Sequence, residues 1–333
     1  MNFGFSEDQQ TIKATARELL ADRSPLARVR EAAESGTGDE RLWRELCELG
    51  WPGIAVPEEH GGQGLGAVEL AVLLEELGYA VAATPFLGTV LAAAAIAHAG
   101  DNAQRARWLP GLASGELTGA FGGPALAADA PGAGVLVVVE DGAARVIAAA
   151  DATVEPVDAV DPTRGYGRVS GEGEPLPGDV ARALDRGAAG IAAELVGVCQ
   201  RALDMTVAYV SERRQFGVPV GAFQAVGHRC AEMLLHTEGA RSAAYFASWA
   251  ADASPERLAE AAGLARVAAG RAGTEVTGSA IQAHGGIGFT WEADVHWLYK
   301  RAQLDAALLG GGSRARIALA RLVAPGRTLR ATP

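Results

Sequence analysis

The chain has 333 residues, with 29 Lys and Arg against 40 Asp and Glu, a formal charge of −11. An acidic balance of this size argues against a nucleic-acid binder, which shows a basic excess, and against adhesion to anionic membranes. Hydrophobic residues make up 49% and charged residues 21%, the composition of a folded globular protein long enough for two or three domains. The three cysteines, Cys47, Cys199 and Cys230, form no Cys-x-x-Cys pair, so neither a disulfide framework nor a cysteine zinc site is expected, and a cytoplasmic location fits. Met1 to Gln10 is polar and carries no apolar signal core. The longest apolar run, Phe86 to Ala97, is too short for a bilayer span, so no membrane insertion is expected.

Residues 6–116 read as helical. Ser6-Glu7-Asp8-Gln9 has the form of a helix start, with Ser6 as N-cap and Gln9 as its capping-box partner. Leu42, Trp43, Leu46 and Leu49 share one face of a second helix that stops at Gly50. A turn-rich stretch, Val56 to Gly66, precedes a helix over about 67–78 with Leu70, Leu73, Leu74 and Leu77 inward. Another helix covers about 87–98, and Trp108-Leu109-Pro110 is expected to end a further short one.

Near Leu117 the pattern changes. Val135 to Val139 is an unbroken apolar run, Asp141-Gly142 follows, and Ala144 to Ile147 returns, which predicts a β-hairpin. Thr153 to Val157 and Gly167 to Val169 supply two more short strands. Helix resumes at about Asp179 and runs to Glu212-Arg213-Arg214-Gln215-Phe216-Gly217. A second helix begins near Phe223 with Val226, Met233 and Leu234 inward. A third runs from about Pro255 to His284 and ends in Gly285-Gly286-Ile287-Gly288, and a last covers Ala293 to Leu322, broken at Gly310-Gly311-Gly312. The fold class is therefore mainly α with a small β domain. It divides into an N-terminal α-helical domain (1–116), a short middle β domain (117–175) and a C-terminal helical bundle (176–333). Alternating βαβ units are missing, which argues against a Rossmann domain.

The six histidines have no HExxH spacing, and no metal site is expected. No Gly-x-Ser-x-Gly elbow and no Walker lysine motif is present. Arg213 and Arg214, at the end of a long helix, have two readings. They are cations favoured by the negative helix terminus, or a guanidinium fork for diphosphate oxygens. Gln282, Gly285 and Gly286 are either a helix C-cap or a point of close backbone approach to a ligand.

Taken together and in this order, the segments resemble the acyl-CoA dehydrogenase family over nearly the whole chain. The residues that carry the resemblance are Val56-Pro57-Glu58-Glu59-His60-Gly61-Gly62-Gln63-Gly64 and Glu75-Glu76-Leu77-Gly78 in the N-terminal part. Further along they are Glu212 to Gly217 with Phe223-Gln224, and Gln282 to Thr290. The resemblance implies a helical domain, a middle β domain and a C-terminal four-helix bundle, with FAD bound between subunits of an oligomer. It implies that Arg213, Gln215 and Phe216 contact the flavin dinucleotide of a neighbouring subunit, and that Gln282, Gly285 and Gly286 lie along its diphosphate and adenosine half. The implied reaction is α,β-desaturation of an acyl-CoA thioester, a carboxylate taking the α proton while the β hydrogen leaves as hydride to the flavin, with an electron-transfer flavoprotein as acceptor.

The sequence departs from the family in two places. The glutamate the family carries near the C-terminus falls on Gly310, which cannot take a proton. The alternative family position, on the first long C-terminal helix, falls on Gly187. Asp185, two residues away, and Glu194 are the acids that could replace it, so the catalytic group is unknown. The loop that touches flavin has no good counterpart in 120–131, and the β unit is shortened. These departures imply an acyl-CoA dehydrogenase-like subunit acting with a related, base-bearing chain in a heteromer. Subgroups of that kind handle bulky CoA thioesters such as sterol side chains. The alternatives are a self-sufficient homomeric enzyme with a displaced base, and a non-enzymatic helical scaffold that has lost FAD.

Overall fold

A computed structural model describes residues 4–308, 310 and 312–324. Six helices come first: α1 (Glu7–Arg23), α2 (Leu26–Ser35), α3 (Glu40–Glu48), α4 (Ala67–Ala80), α5 (Phe86–Ala99) and α6 (Asn102–Ser114). Ser6 caps α1 as the sequence requires: its hydroxyl accepts the Gln9 amide and its own amide donates to the Gln9 side chain. Leu70, Leu73, Leu74 and Leu77 of α4 are all buried. Pro110 does not end α6, because Trp108, Leu109, Leu112 and Ala113 continue the buried face past it, and the helix closes at Gly115 instead. Leu49 lies beyond the end of α3 and is exposed, whereas Leu42 and Leu46 reach the core.

The middle of the chain is one seven-stranded sheet in the order β5-β6-β2-β1-β3-β4-β7. Its strands are β1 (Gly119–Gly123), β2 (Leu126–Ala128), β3 (Val135–Glu140), β4 (Ala143–Ala148), β5 (Ala152–Pro156), β6 (Tyr166–Gly171) and β7 (Glu174–Pro175). The β3–β4 hairpin turns at Asp141 and Gly142, both at positive φ, as the Asp-Gly pair predicts. β1 and β2 carry no alternating pattern. Their Gly- and Ala-rich strands hold in the sheet by pairing with β3, in parallel, and with β6.

The bundle consists of α7 (Val180–Glu212), α8 (Gln224–Ala253), α9 (Leu258–His284), α10 (Val295–Leu308) and α11 (Gly312–Val323), with a two-residue hairpin, β8 (Arg214–Gln215) and β9 (Val218–Pro219), between α7 and α8. Helix α7 is the axis of the molecule, packed on α4, α5, α8, α9 and α10. It meets α4 backbone to backbone: a Cβ on Gly197 would stand 1.8 Å from the Glu75 carbonyl oxygen, and one on Gly78 2.1 Å from that of Glu194. Only glycine permits that approach. On α8, Met233 is buried but Leu234 is exposed, because it sits one position, or about 100°, around from the buried stripe.

Buried acids of α4 tie the domains together. Glu75 accepts from Lys13 of α1 (2.9 Å), from the Tyr245 hydroxyl of α8 (2.5 Å) and from Arg241, while Glu76 pairs with Lys13 (2.7 Å) and Arg17. These pairs hold the Glu75 carboxyl below the usual carboxylate range against the opposing effect of burial. Among the described residues, no helix is long and apolar enough to cross a membrane.

Candidate functional site

Two regions carry the residues singled out in the sequence. The first is where α7 and α9 end side by side. Arg213 leaves the helix in extended conformation, its amide still bonded to the Tyr209 carbonyl (2.9 Å), and its carbonyl accepts the Val220 amide at 2.7 Å. The β8–β9 hairpin follows, and its turn sets Phe216 and Gly217 at φ of 52° and 83°. A left-handed phenylalanine is uncommon and costs backbone energy. This one is 93% exposed and meets Phe223 edge to face.

The Arg213 guanidinium has no partner among the described residues, and Gln215 and Gln282 are exposed as well. Arg214 differs: it donates to the Gly217 carbonyl at 3.3 Å and braces the turn. Across from the hairpin, α9 ends at Gly285, φ 67°, whose amide bonds back to Gln282, so the C-cap reading holds for that residue. Gly286 has neither a positive φ nor any atom within 4 Å of where a Cβ would stand. Nothing among the described residues requires glycine there.

The two helix ends are locked by His284 and Tyr209, stacked 4.5 Å apart. The His284 Nδ1 lies 2.7 Å from the Ala280 carbonyl, so this nitrogen carries the proton and the ring is oriented from behind. Phe289 and Trp291, 74% and 68% exposed, continue an apolar face beyond the loop. An unpartnered guanidinium, two amides, and an exposed aromatic rim suit a dinucleotide held against a second protein surface.

The second region lies between the middle sheet and the bundle and holds the positions considered for the missing base. Residues 120–131 form no outreaching loop. They fold as the tight β1–β2 hairpin, turning at Pro124 and Ala125, and end at buried Asp129. A Cβ on Gly187 would fill the contact between Phe121 and Leu91, 3.7 Å from each. Gly310 is exposed, and a Cβ there would meet nothing within 4 Å among the described residues.

Between these points a buried ion network fills the interior. Arg164, on the approach to β6, donates to Glu194 of α7 (2.5 Å) and Asp305 of α10 (2.9 Å), with Asp129 3.7 Å away. Arg301 of α10 donates to Glu194 (2.9 Å), Asp161 (2.7 Å) and the Thr163 hydroxyl (2.6 Å), and Asp129 accepts the Gly88 amide at 2.7 Å. Arg301 is fully buried and Arg164 is 6% exposed. Four carboxylates face two guanidinium groups, and burial decides the excess. It pushes Asp129 up to about 6, partly opposed by Arg164, and raises Asp305 well above the usual carboxylate range, helped by Glu194.

Neither acid considered as a replacement base is free. Glu194 is bound by two arginines, and Asp185 is bound by Arg266 of α9 at 3.0 Å. Sequence reasoning missed this network because Asp129, Asp161, Arg164, Arg301 and Asp305 lie in three separate segments with no motif.

Comparison with known proteins agrees with this geometry. Residues 6–116 match the N-terminal domain of acyl-CoA dehydrogenases, and residues 179–323 match their C-terminal domain. The chain belongs to the acyl-CoA dehydrogenase family. It is 38% identical to the acyl-CoA dehydrogenase IpdE2 of Mycobacterium tuberculosis over 91% of this chain and 93% of that protein, and 36% identical to IpdE2 of Mycolicibacterium smegmatis over 92% and 95%. In structure it is similar to a chain of the ChsE4-ChsE5 complex from Mycobacterium tuberculosis (TM-score 0.88, 25% identity, 98% and 100% covered). It is also similar to one of the Tcur3481-Tcur3483 steroid acyl-CoA dehydrogenase, in its G363A variant (TM-score 0.86, 29% identity, 96% and 98% covered). Members of this acyl-CoA dehydrogenase family are flavoprotein oxidoreductases that act on the CH–CH bond of acyl-CoA thioesters, and the helical, sheet and helical order of this chain is theirs.

Proposed function

We propose that this chain is the base-lacking subunit of a two-chain acyl-CoA dehydrogenase, completing a flavin site whose reacting half lies in a related, base-bearing partner. The observation that carries the reading is that Gly187 and Gly310 stand at the two positions where the resemblance puts the base, while the acids nearest to them in the sequence, Asp185 and Glu194, are held by arginines. The exposed half-site supports it from the other side. The group that fits there is FAD: Arg213 would hold a diphosphate through its free guanidinium, Gln215 and Gln282 would donate or accept along the dinucleotide, and Phe216, Gly285 and Gly286 would lie against it. When bound, FAD supplies the acceptor for the hydride that leaves the acyl β carbon.

This chain's own residues bind, orient and exclude water. The aromatic rim of Phe216, Phe289 and Trp291 would be covered by the partner. The partner's carboxylate would take the α proton, since Gly310 offers none. The likeness to chains from the ChsE4-ChsE5 and Tcur3481-Tcur3483 pairs favours a heteromer, and the steroid enzyme among them favours a bulky acyl group. An electron-transfer flavoprotein is the proposed acceptor.

The test is flavin absorbance and acyl-CoA dehydrogenation by the chain alone, then mixed with longer acyl-CoA dehydrogenase-like chains of the same organism. Colourless, inactive protein alone and a yellow, active mixture is the expected result. A yellow chain that dehydrogenates an acyl-CoA by itself contradicts the proposal. A chain that holds no flavin with any partner favours a scaffold.

A further inference from the structure

Residues 157–165, between β5 and β6, cross from the sheet onto the bundle with no helix or strand of their own. Backbone bonds hold the two ends of this strap. The Val157 amide donates to the Tyr166 carbonyl (2.9 Å), and the Gly165 carbonyl accepts from the Asp129 amide (2.7 Å). Between them, Asp161 and Thr163 accept from Arg301 of α10, and Arg164 donates to Glu194 of α7 and Asp305 of α10.

Donors and acceptors do not balance in this patch. Asp161 is satisfied as an anion: one oxygen takes Arg301, the other takes the Thr163 amide (3.0 Å) and hydroxyl (2.5 Å). Arg164 grips two carboxyls with one fork, Nη2 on Glu194 Oε1 and Nη1 on Asp305 Oδ1. The second oxygens of that pair, Glu194 Oε2 and Asp305 Oδ2, are sealed from solvent and have no donor among the described residues. With both carboxyls ionised, two bare anionic oxygens would lie in an interior whose two guanidinium groups are already divided among four acids. One proton removes the conflict. On Asp305 Oδ2 it supplies the donor that Glu194 Oε2 lacks.

The groups around the pair act in the same sense. Asp161 on the strap adds a like charge, and Arg164 and Arg301 oppose it. Tyr166 of β6 is held neutral by burial, Asp129 at the end of β2 faces Arg164, and Lys300 of α10 acts on Asp161. Burial first and Glu194 second push the Asp305 carboxyl well above the ordinary range.

We infer that Glu194 and Asp305 share one proton, and that this proton is the catch that keeps the 157–165 strap seated on the bundle. When the strap lifts, water reaches both carboxyls, each ionises as an ordinary acid, and the proton passes to solvent. Closing takes the proton up again. The closed strap is therefore favoured at low pH and loosens as pH rises, until the shared proton is lost from the closed form as well. The device needs no flavin and does not rest on the proposed function.

Amide exchange of the full chain, read by mass spectrometry on peptides covering 157–165 and corrected for the intrinsic pH dependence of exchange, tests it. From about pH 6.5 to about pH 8.5, a window above the Asp129 value, the opening constant of the wild-type strap rises at least about tenfold. Peptides of α8 stay level over the same window, which separates strap opening from global loosening. Asp305→Asn keeps an oxygen for Arg164 and puts an N–H toward Glu194, so its strap stays closed and independent of pH. Glu194→Gln keeps an oxygen for both arginines and puts an N–H toward Asp305, and it too loses the dependence. A purely structural role would shift protection in the variants equally at both pH values. Wild-type protection that does not change with pH, or either folded variant keeping the wild-type dependence, would overturn the inference. If one variant fails to fold, the other and the wild-type profile decide.

Discussion

Tyr209 and His284 stack with ring centroids 4.5 Å apart and planes within 18° of parallel, and this contact joins the end of α7 to the end of α9. Arg213 lies four residues past the tyrosine and Gln282 two before the histidine, so one aromatic pair sets the spacing of both proposed flavin contacts. Tyr209→Ala removes the stack and costs about 1 kcal/mol of stability. It also frees the hairpin. The Val220 amide, bonded to the Arg213 carbonyl, should exchange with solvent measurably faster in the variant, and amide exchange by mass spectrometry checks this.

Glu194 separates a structural from a catalytic role. It is the acceptor shared by Arg164 and Arg301, both inside the molecule. Glu194→Ala leaves two buried guanidinium groups short of a partner and should cost about 3–5 kcal/mol. Glu194→Gln, which keeps a hydrogen-bond acceptor, should cost less. In the assembled enzyme, turnover per bound flavin should be unchanged in Glu194→Gln. A proton-abstracting residue would instead show a loss of about 10²–10⁴. Denaturant unfolding and steady-state turnover distinguish the two.

Asp129 gives the network a pH dependence with a definite sign. Burial raises its folded-state value to about 6, above the 3.8 of an ordinary aspartate. The folded chain therefore binds more protons than the unfolded chain between those values. The contribution of this group to stability is full below about 4, falls as pH rises, and reaches its minimum above about 6. Asp129→Asn keeps a carbonyl oxygen for the Gly88 amide and removes the titration. Relative to wild type, the variant should gain on the order of 1–3 kcal/mol between pH 4 and pH 7. Urea midpoints at both pH values measure it, and a constant difference between the two proteins would contradict the assignment.

Much of the architecture was legible before the structure. The Ser6 cap, the leucine stripe of α4, the Asp141-Gly142 hairpin and the long α7 are local patterns, set by capping chemistry and periodicity, and they stand as read. The errors were also local. Pro110 and Leu234 were assigned from one residue's habit, and packing of the surrounding turn decided otherwise. Strands β1 and β2 were unreadable because Gly119 to Gly123 has no alternation of its own and is a strand only through its neighbours.

Of the candidate site, the Arg213 and Gln282 segments were visible as motifs. Their joining by Tyr209 and His284 was not, because the two residues lie 75 positions apart in the numbering. The ion network was invisible for the same reason. It is assembled from the approach to β6, the middle of α7 and the face of α10, each unremarkable alone.

The central claim is that this chain lends a dinucleotide-holding surface to a partner's flavin. The most direct test is the dissociation constant of FAD from the assembled enzyme, measured by flavin fluorescence with wild-type chain and with Arg213→Ala. The Arg213 side chain is exposed and has no hydrogen-bond or ion-pair partner among the described residues, so the variant should fold and assemble as before and bind FAD roughly tenfold or more weakly. Unchanged FAD affinity in a correctly assembled Arg213→Ala enzyme would contradict the account.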